Sequence, residues 1–179
     1  MLYTKKGDDG TTTLFSSKTR LSKADIVFEI LGSLDELNSY LGLCKSLSKG
    51  LLLEKEKVSD ILEKVQNDLF TIQAEVAKAP HKISKTRLNW LENKIAKIEE
   101  KLPKINSFLI PGGDEVSAHL DIARTLARKA ERRAVAIKKD ISDNTLAYLN
   151  RLSSLLYALA RYVNVLLEEK QSSPTYSEE

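Results

Sequence analysis

Along this chain apolar residues return every three or four positions over five long stretches, the spacing that lines them on one face of an α-helix. The first stretch predicts a helix from about Asp25 to Leu47, with Val27, Ile30 or Leu31, Leu34, Leu37, Leu41 and Cys44 in its seam. A second covers about 53–78 through Val58, Ile61, Leu62, Val65, Leu69, Ile72 and Val76, until Ala79-Pro80-His81 breaks it. The third runs over about 85–101 through Leu88, Leu91, Ile95, Ile98 and Leu102, and Pro103 closes it. Next, the trio Phe108, Leu109 and Ile110 leads into Pro111-Gly112-Gly113, which forces a turn. Asp114 then stands where a helix N-cap belongs, and Glu115 occupies a first turn that favours negative charge. In this fourth helix Leu120, Ala123, Ala127, Ala130 and Ala134 form an apolar face of small side chains, so a neighbouring helix can approach closely. Lys138-Lys139-Asp140 and Ser142-Asp143 mark a further turn. A fifth helix follows over about 144–169 with Leu146, Leu149, Leu152, Leu156, Leu159, Val163 and Leu166. Residues 1–22 read as a loop, and residues 171–179 as a polar, disordered tail. The pattern predicts one all-α domain over 1–170: a five-helix up-down bundle with short connections, four-helix-bundle-like and ferritin-like in appearance, preceded by an N-terminal loop that is ordered or ligand-ordered.

Composition agrees and narrows the function. The 179 residues are 42% hydrophobic and 30% charged, enough for one core, while seven glycines, four prolines and 6% aromatics favour long helices over many short strands. A net charge of +3 falls short of the surplus a dedicated nucleic-acid binder concentrates. The single cysteine, Cys44, excludes an internal disulfide and reads as a small hydrophobe in a helical seam. No run approaches the ~18 apolar residues of a membrane span, and no signal or transit pattern opens the chain. A cytoplasmic protein is expected, with neither membrane nor nucleic acid as partner.

Three stretches carry candidate chemistry. On the fourth helix Arg124, Arg128 and Arg132 repeat every four residues, with Asp121 three before Arg124 and Glu131 three after Arg128. Such a row of guanidinium forks fits polyphosphate or carboxylate binding at a helix or subunit boundary; it equally reads as a solvated face laced with surface ion pairs. In the N-terminal loop, Thr4-Lys5-Lys6-Gly7-Asp8-Asp9-Gly10-Thr11-Thr12-Thr13 combines glycines, hydroxyls and lysines that can fold an anion-binding nest or an ordinary surface turn. No Walker A loop occurs. In the first helix Gly32 and Gly42 each cost about 1 kcal/mol relative to alanine, which points to close approach by a neighbour. Asp35 between them suits an arginine on another helix, and Asn38 shares its face. Asn150 and Arg151 lie off the seam of the fifth helix. A di-iron centre needs paired Glu-x-x-His motifs, which neither His81 nor His119 supplies, and no HExxH, CxxC or GxSxG occurs.

Five blocks, in this order, carry a resemblance. They are Thr4 to Gly10; Lys23 with Glu29-x-x-Gly32-x-x-Asp35-Glu36-Leu37-Asn38-Ser39; Phe108 to Gly113; Arg124-x-x-x-Arg128-Lys129-Ala130-Glu131-Arg132; and Tyr148-Leu149-Asn150-Arg151-Leu152-Ser153. In register they closely resemble the PduO-type ATP:cob(I)alamin adenosyltransferases, over about residues 3–165. The resemblance implies a homotrimer with active sites at subunit interfaces, which moves the adenosyl group of ATP to the cobalt of reduced cobalamin and releases triphosphate. It implies that Thr4, Lys5, Lys6, Gly7, Thr12 and Thr13 wrap the triphosphate beside Lys23, and that Arg128, Glu131, Arg132 and Asn150 hold ATP, accompanied by Mg²⁺. Asp35 would pair with Arg124 across the interface near the corrin, these two and Arg128 forming the catalytic set. Phe108 would wall off the lower face of the corrin. A reductase and a B12-dependent acceptor enzyme are implied partners. The family usually has a basic residue at Asp9, an aspartate at Ser154 and often arginine at Lys129. A non-catalytic carrier of ATP or corrinoid, and a helical interaction module using the basic helix, are the competing readings.

Overall fold

A computed structural model describes residues 3–15 and 17–176, so the last three residues of the expected tail lie outside the described residues. The helices are α1 (Ile26–Leu47), α2 (Val58–Val76), α3 (Lys85–Glu99), α4 (Glu115–Ala134) and α5 (Asp143–Leu166), with one 3₁₀ turn (Val135–Ile137) after α4. Four of the five begin at a side-chain cap: Asp25, Ser84, Asp114 and Ser142 accept from the backbone N–H of Val27, Arg87, Val116 and Thr145. The exception, α2, starts at Val58 and not near 53 as its apolar run predicts. Leu52–Leu53 (β3) and Glu56–Lys57 (β4) form a tight antiparallel hairpin turning through Glu54 at φ 57°, a left-handed conformation that a helix cannot pass through. A second hairpin, β1 (Thr11–Thr13) with β2 (Arg20–Ser22), lies inside the stretch read as a plain loop.

The helices alternate in direction, as expected of an up-down bundle. Lys45 near the end of α1 meets Glu63 near the start of α2, and Arg133 at the end of α4 pairs with Glu29 at the start of α1. α1 packs on α2 and α4, α4 on α5, and α5 on α3. Because α3 docks on α5 and not on α4, its connection to α4 is not short. Residues 100–114 make a long loop across the end of the bundle, and Phe108 rides on it. The alanine face of α4 does what its size predicts: Ala123, Ala127, Ala130 and Ala134 have no solvent-exposed surface, at the helix pairings with α1 and α5.

The core is one contiguous cluster drawn from all five seams, crossed by a few satisfied polar contacts. Buried Tyr148 of α5 donates to Asp68 of α2 at 2.9 Å, and Arg87 donates to the other carboxylate oxygen at 2.7 Å. Desolvation raises the Asp68 carboxyl and pushes the Tyr148 phenol well above its ordinary range. Glu75 accepts from the backbone N–H of Ser142 at 2.6 Å and so fixes where α5 begins. These contacts set the register of α5 against α2, and with it the height at which Asn150 and Tyr157 emerge.

Candidate active site

Where the 100–114 loop lies against α4 and α5, Phe108 and Leu109 face Arg124 and Arg128 of α4 and Ser153, Ser154 and Tyr157 of α5 around a cavity of about 350 Å³. Phe108 is 80% exposed, a large aromatic held out of the core at the mouth of a cationic cleft. Arg124 sits against Tyr157, its guanidinium carbon 5.9 Å from the ring centre, and its Nε donates to Asp121 at 3.1 Å. That is the pair the spacing of Asp121 and Arg124 predicts. Arg128, one turn further, is exposed and makes no hydrogen bond or ion pair with any described residue. A free guanidinium fork beside an apolar wall suits an anionic ligand that also presents a flat apolar surface.

Further along the same groove, Asn150 of α5 donates to Glu131 of α4 at 2.9 Å and accepts from Arg151 at 3.1 Å. Glu131 is thus engaged by Asn150, and the expected contact with Arg128 is absent among the described residues. Arg132 is exposed. Lys129, where the resembled family often has arginine, pairs with Glu36 of α1.

The N-terminal loop is a separate unit. Its hairpin is fastened by Arg20, which donates to Asp9 at 3.0 Å, to the Thr11 hydroxyl at 2.6 Å, and to the carbonyls of Lys6 and Thr11. Asp9 in turn accepts from the backbone N–H of Thr11 at 3.0 Å and its hydroxyl at 2.8 Å, bonds that hold its carboxyl below the ordinary value. The acidic departure at Asp9 is therefore matched by Arg20, and the pair adds no net charge to the loop. Lys23 donates to the Gly7 carbonyl at 2.7 Å, and a Cβ on Gly7 would stand 3.0 Å from that ammonium, so the glycine gives the lysine room. Thr4, Lys5 and Lys6 are exposed and Lys5 takes a left-handed φ of 59°. Thr12 and Thr13 lie in β1, opposite Leu21 and Arg20. No hydrogen bond or ion pair among the described residues joins this loop to α4 or α5.

Asp35 stands apart as well. It is exposed on α1, with no ion pair among the described residues, and Arg124 of the same chain is bonded elsewhere. Gly32 beside it has open space where a Cβ would be, so the close approach its cost implies is not made within one chain. Gly42 does face a neighbour, Gln66, at 3.5 Å.

Sequence reasoning missed several participants. Tyr157 lies within the apolar run of α5, where periodicity marks it as packing. Arg20 carries no motif. Arg161 and Asn164 sit on the buried side of α5, and the one signal that could have found them is the Gly112-Gly113 pair. Those glycines adopt φ of 119° and 110°, and a Cβ on Gly113 would fall 2.5 Å from the Asn164 side-chain oxygen.

The cobalamin adenosyltransferase family model matches residues 2–163. A corrinoid adenosyltransferase of Bacillus subtilis is 36% identical over 169 residues, covering 91% of this chain and 86% of the relative. The corrinoid adenosyltransferase PduO of Citrobacter freundii is 41% identical over 89% of this chain, which spans about half (49%) of that longer protein. Among solved structures, a variant PduO-type ATP:corrinoid adenosyltransferase of Lactobacillus reuteri complexed with cobalamin and ATP superposes with a TM-score of 0.90 at 32% identity, covering 99% of this chain and 98% of the other. Another variant from the same organism, complexed with ATP, gives a TM-score of 0.86 at 32% identity, covering 97% of this chain and all of the other.

Proposed function

The chain belongs to the cobalamin adenosyltransferase family, and from that premise we propose how its residues divide the work of moving an adenosyl group from ATP to a reduced corrinoid. In the reaction the cobalt(I) lone pair attacks the 5′ carbon of ATP. A Co–C bond forms, the C5′–O bond breaks, and that electron pair departs with triphosphate. Cobalt(I) is itself the nucleophile, so the protein needs no general base. Its tasks are to hold the 5′ carbon in line with the metal and to neutralise the charge that develops on the leaving group.

The observation that carries this reading is the cavity in which an exposed aromatic wall, Phe108, faces the guanidinium groups of Arg124 and Arg128. Arg128, with no partner of its own among the described residues, binds the phosphates. Glu131, Arg132 and Asn150 hold the nucleotide further along the groove. Phe108 lies against the lower face of the corrin and keeps the lower axial base off cobalt, which makes the metal easier to reduce. The N-terminal loop, with Thr4 to Gly7, Thr12, Thr13 and Lys23, closes on the triphosphate. Mg²⁺ would accompany the nucleotide and offset part of the triphosphate charge beside Arg128.

The site is completed between subunits of a homotrimer. Among the described residues Asp35 lacks an ion pair and the N-terminal loop lacks polar contacts with α4, and the α1 and α4 surfaces expose Ile26, Leu43 and Ile122, all of which support an interface at these helices. Asp35 of one subunit then meets Arg124 of the next. A reductase supplies cobalt(I), and a B12-dependent enzyme takes the product. No helix among the described residues is long and apolar enough to cross a membrane, and we place the reaction in the cytoplasm.

The test is anaerobic mixing of the protein with ATP, Mg²⁺ and chemically reduced cobalamin while the cobalt(I) absorbance is followed. Loss of that absorbance, with one triphosphate per light-sensitive product, is the expected result. ATP binding without turnover would overturn it in favour of a carrier.

A further inference from the structure

The loop that carries Phe108 is held at both ends by two side chains of α5 that are not among the residues assigned to either substrate. Arg161 donates from Nη2 to the carbonyl of Pro103 at 2.8 Å, where the loop leaves α3. One helical turn on, Asn164 donates from Nδ2 to the carbonyl of Gly112 at 2.8 Å and accepts from the Asp114 N–H at 3.0 Å, where the loop enters α4. Both side chains are buried, at 8% and 4% exposure. A buried guanidinium or amide is costly when unpartnered: Asn164 is paired at both its nitrogen and its oxygen, while Arg161 has the Pro103 carbonyl on Nη2 and no partner on its buried Nε among the described residues, so losing the loop would strand both groups. The fit is also steric. Any residue but glycine at 113 would drive its Cβ to 2.5 Å from the Asn164 oxygen.

Between those anchors, Leu109 to Gly112 lie over a cavity of about 30 Å³ shared with Asp121, Arg124, Tyr157, Arg161 and Asn164. The loop, the Arg124–Asp121 pair and the fastening residues are therefore packed as one piece. Phe108 itself has little contact to fix it, being mostly exposed. Its place is set through its neighbours in the chain: Arg161 and Asn164 hold the two ends of the loop, and between them the Ile110 N–H donates to the Ser172 carbonyl at 2.8 Å and the Ser107 hydroxyl meets that of Ser173 at 2.7 Å.

We infer that Arg161 and Asn164 are positioning residues for the corrin half of the reaction: they hold the 103–114 loop so that Phe108 stands at a fixed height over the cavity. This rests on the reading of Phe108 as the wall that keeps the lower base off cobalt. It differs from an ordinary stabilising role in what it affects. Loosening the loop should slow only the step in which the lower base must be kept away, and should spare ATP.

The experiment compares wild type with Asn164→Ala, and with Gly113→Ala, which attacks the same contact from the loop side should the first variant not fold. Each is assayed on cobalamin and on a corrinoid that lacks the lower nucleotide base, both presented as cobalt(II) with a reductant. We expect a fall in kcat of about 10-fold or more on cobalamin, less than about 3-fold on the base-free corrinoid, and an unchanged KM for ATP. Amide exchange should rise in residues 104–113 while α1, α2 and α5 keep their protection. Equal losses on both corrinoids, a parallel rise in the KM for ATP, or unchanged exchange over 104–113 would each overturn the inference. The exchange measurement separates the two levels of the claim, because it reports on the fastening even if the wild type proves inert toward corrinoids.

Discussion

In the proposed reaction the N-terminal loop and the 100–114 loop serve different substrates, and the two are fastened by different chemistry. Asp9 and Arg20 pin the first through an ion pair and a fan of hydrogen bonds that water reaches freely, with 61% and 41% of the two side chains exposed. Contacts of that kind are individually weak and screened by salt. Arg161 and Asn164 pin the second from inside the bundle, where leaving a partner unsatisfied is penalised. The contrast fits the two substrates. A polyanion can reorganise an exposed loop by supplying the charge that orders it. Keeping a lower base off cobalt requires an obstacle that is in place before the corrin arrives and does not yield.

The largest effect should come from the cleft that Phe108 shares with α4 and α5. Arg128→Ala should lower kcat/KM by about 100-fold or more, the scale for removing a charge that faces a developing anion. Because Arg128 has no partner among the described residues, thermal unfolding should be unchanged; steady-state kinetics and a melting curve check both halves. Next comes the obstacle itself. Phe108→Ala should slow turnover from cobalt(II) cobalamin by about 10-fold, leave ATP binding intact by calorimetry, and alter stability by no more than about 0.5 kcal/mol, as for exposed positions.

The two fastenings should then separate on stability. Gly113→Ala combines a clash with backbone strain and should cost about 1–3 kcal/mol in urea denaturation. Asp9→Ala should leave the denaturation midpoint where it is and raise the KM for ATP by less than about 5-fold. The Asp9 carboxyl is held below its ordinary value, so its bonds are present above that value and lost only as pH falls through the lowered one. Between pH 5 and pH 8 (on the order of a thousandfold in proton concentration) the loop should show no Asp9-linked change in ATP affinity. The smallest effect belongs to the core: burial pushes the Cys44 thiol up to about 11, so native protein should resist alkylation at pH 8 and denatured protein should not.

The fold was legible because each helix carries its own signals. Asp25, Asp114 and Ser142 cap where such residues should cap, and the alanine face of α4 is buried as its spacing demands. Leu52–Leu53 escaped because a two-residue strand has no period to read, and the turn at Glu54 uses a residue that rarely marks one. Among candidate site residues, Phe108, Arg124 and Arg128 line one cavity. The fastening residues were not legible. A polar residue inside an apolar helical seam, such as Asn164, gives no sign of what it bonds, since its partners are backbone atoms of a loop 50 residues away in sequence. Arg20 was silent for the same reason: three of its acceptors are a threonine hydroxyl and two carbonyls.

If each loop serves one substrate, the KM for ATP and the kcat on cobalamin, measured for Arg20→Ala and Asn164→Ala in a single anaerobic assay, will respond separately. Arg20→Ala should raise only the former and Asn164→Ala should lower only the latter. If either substitution moves both quantities together, the two loops act as one unit and the division of labour is wrong.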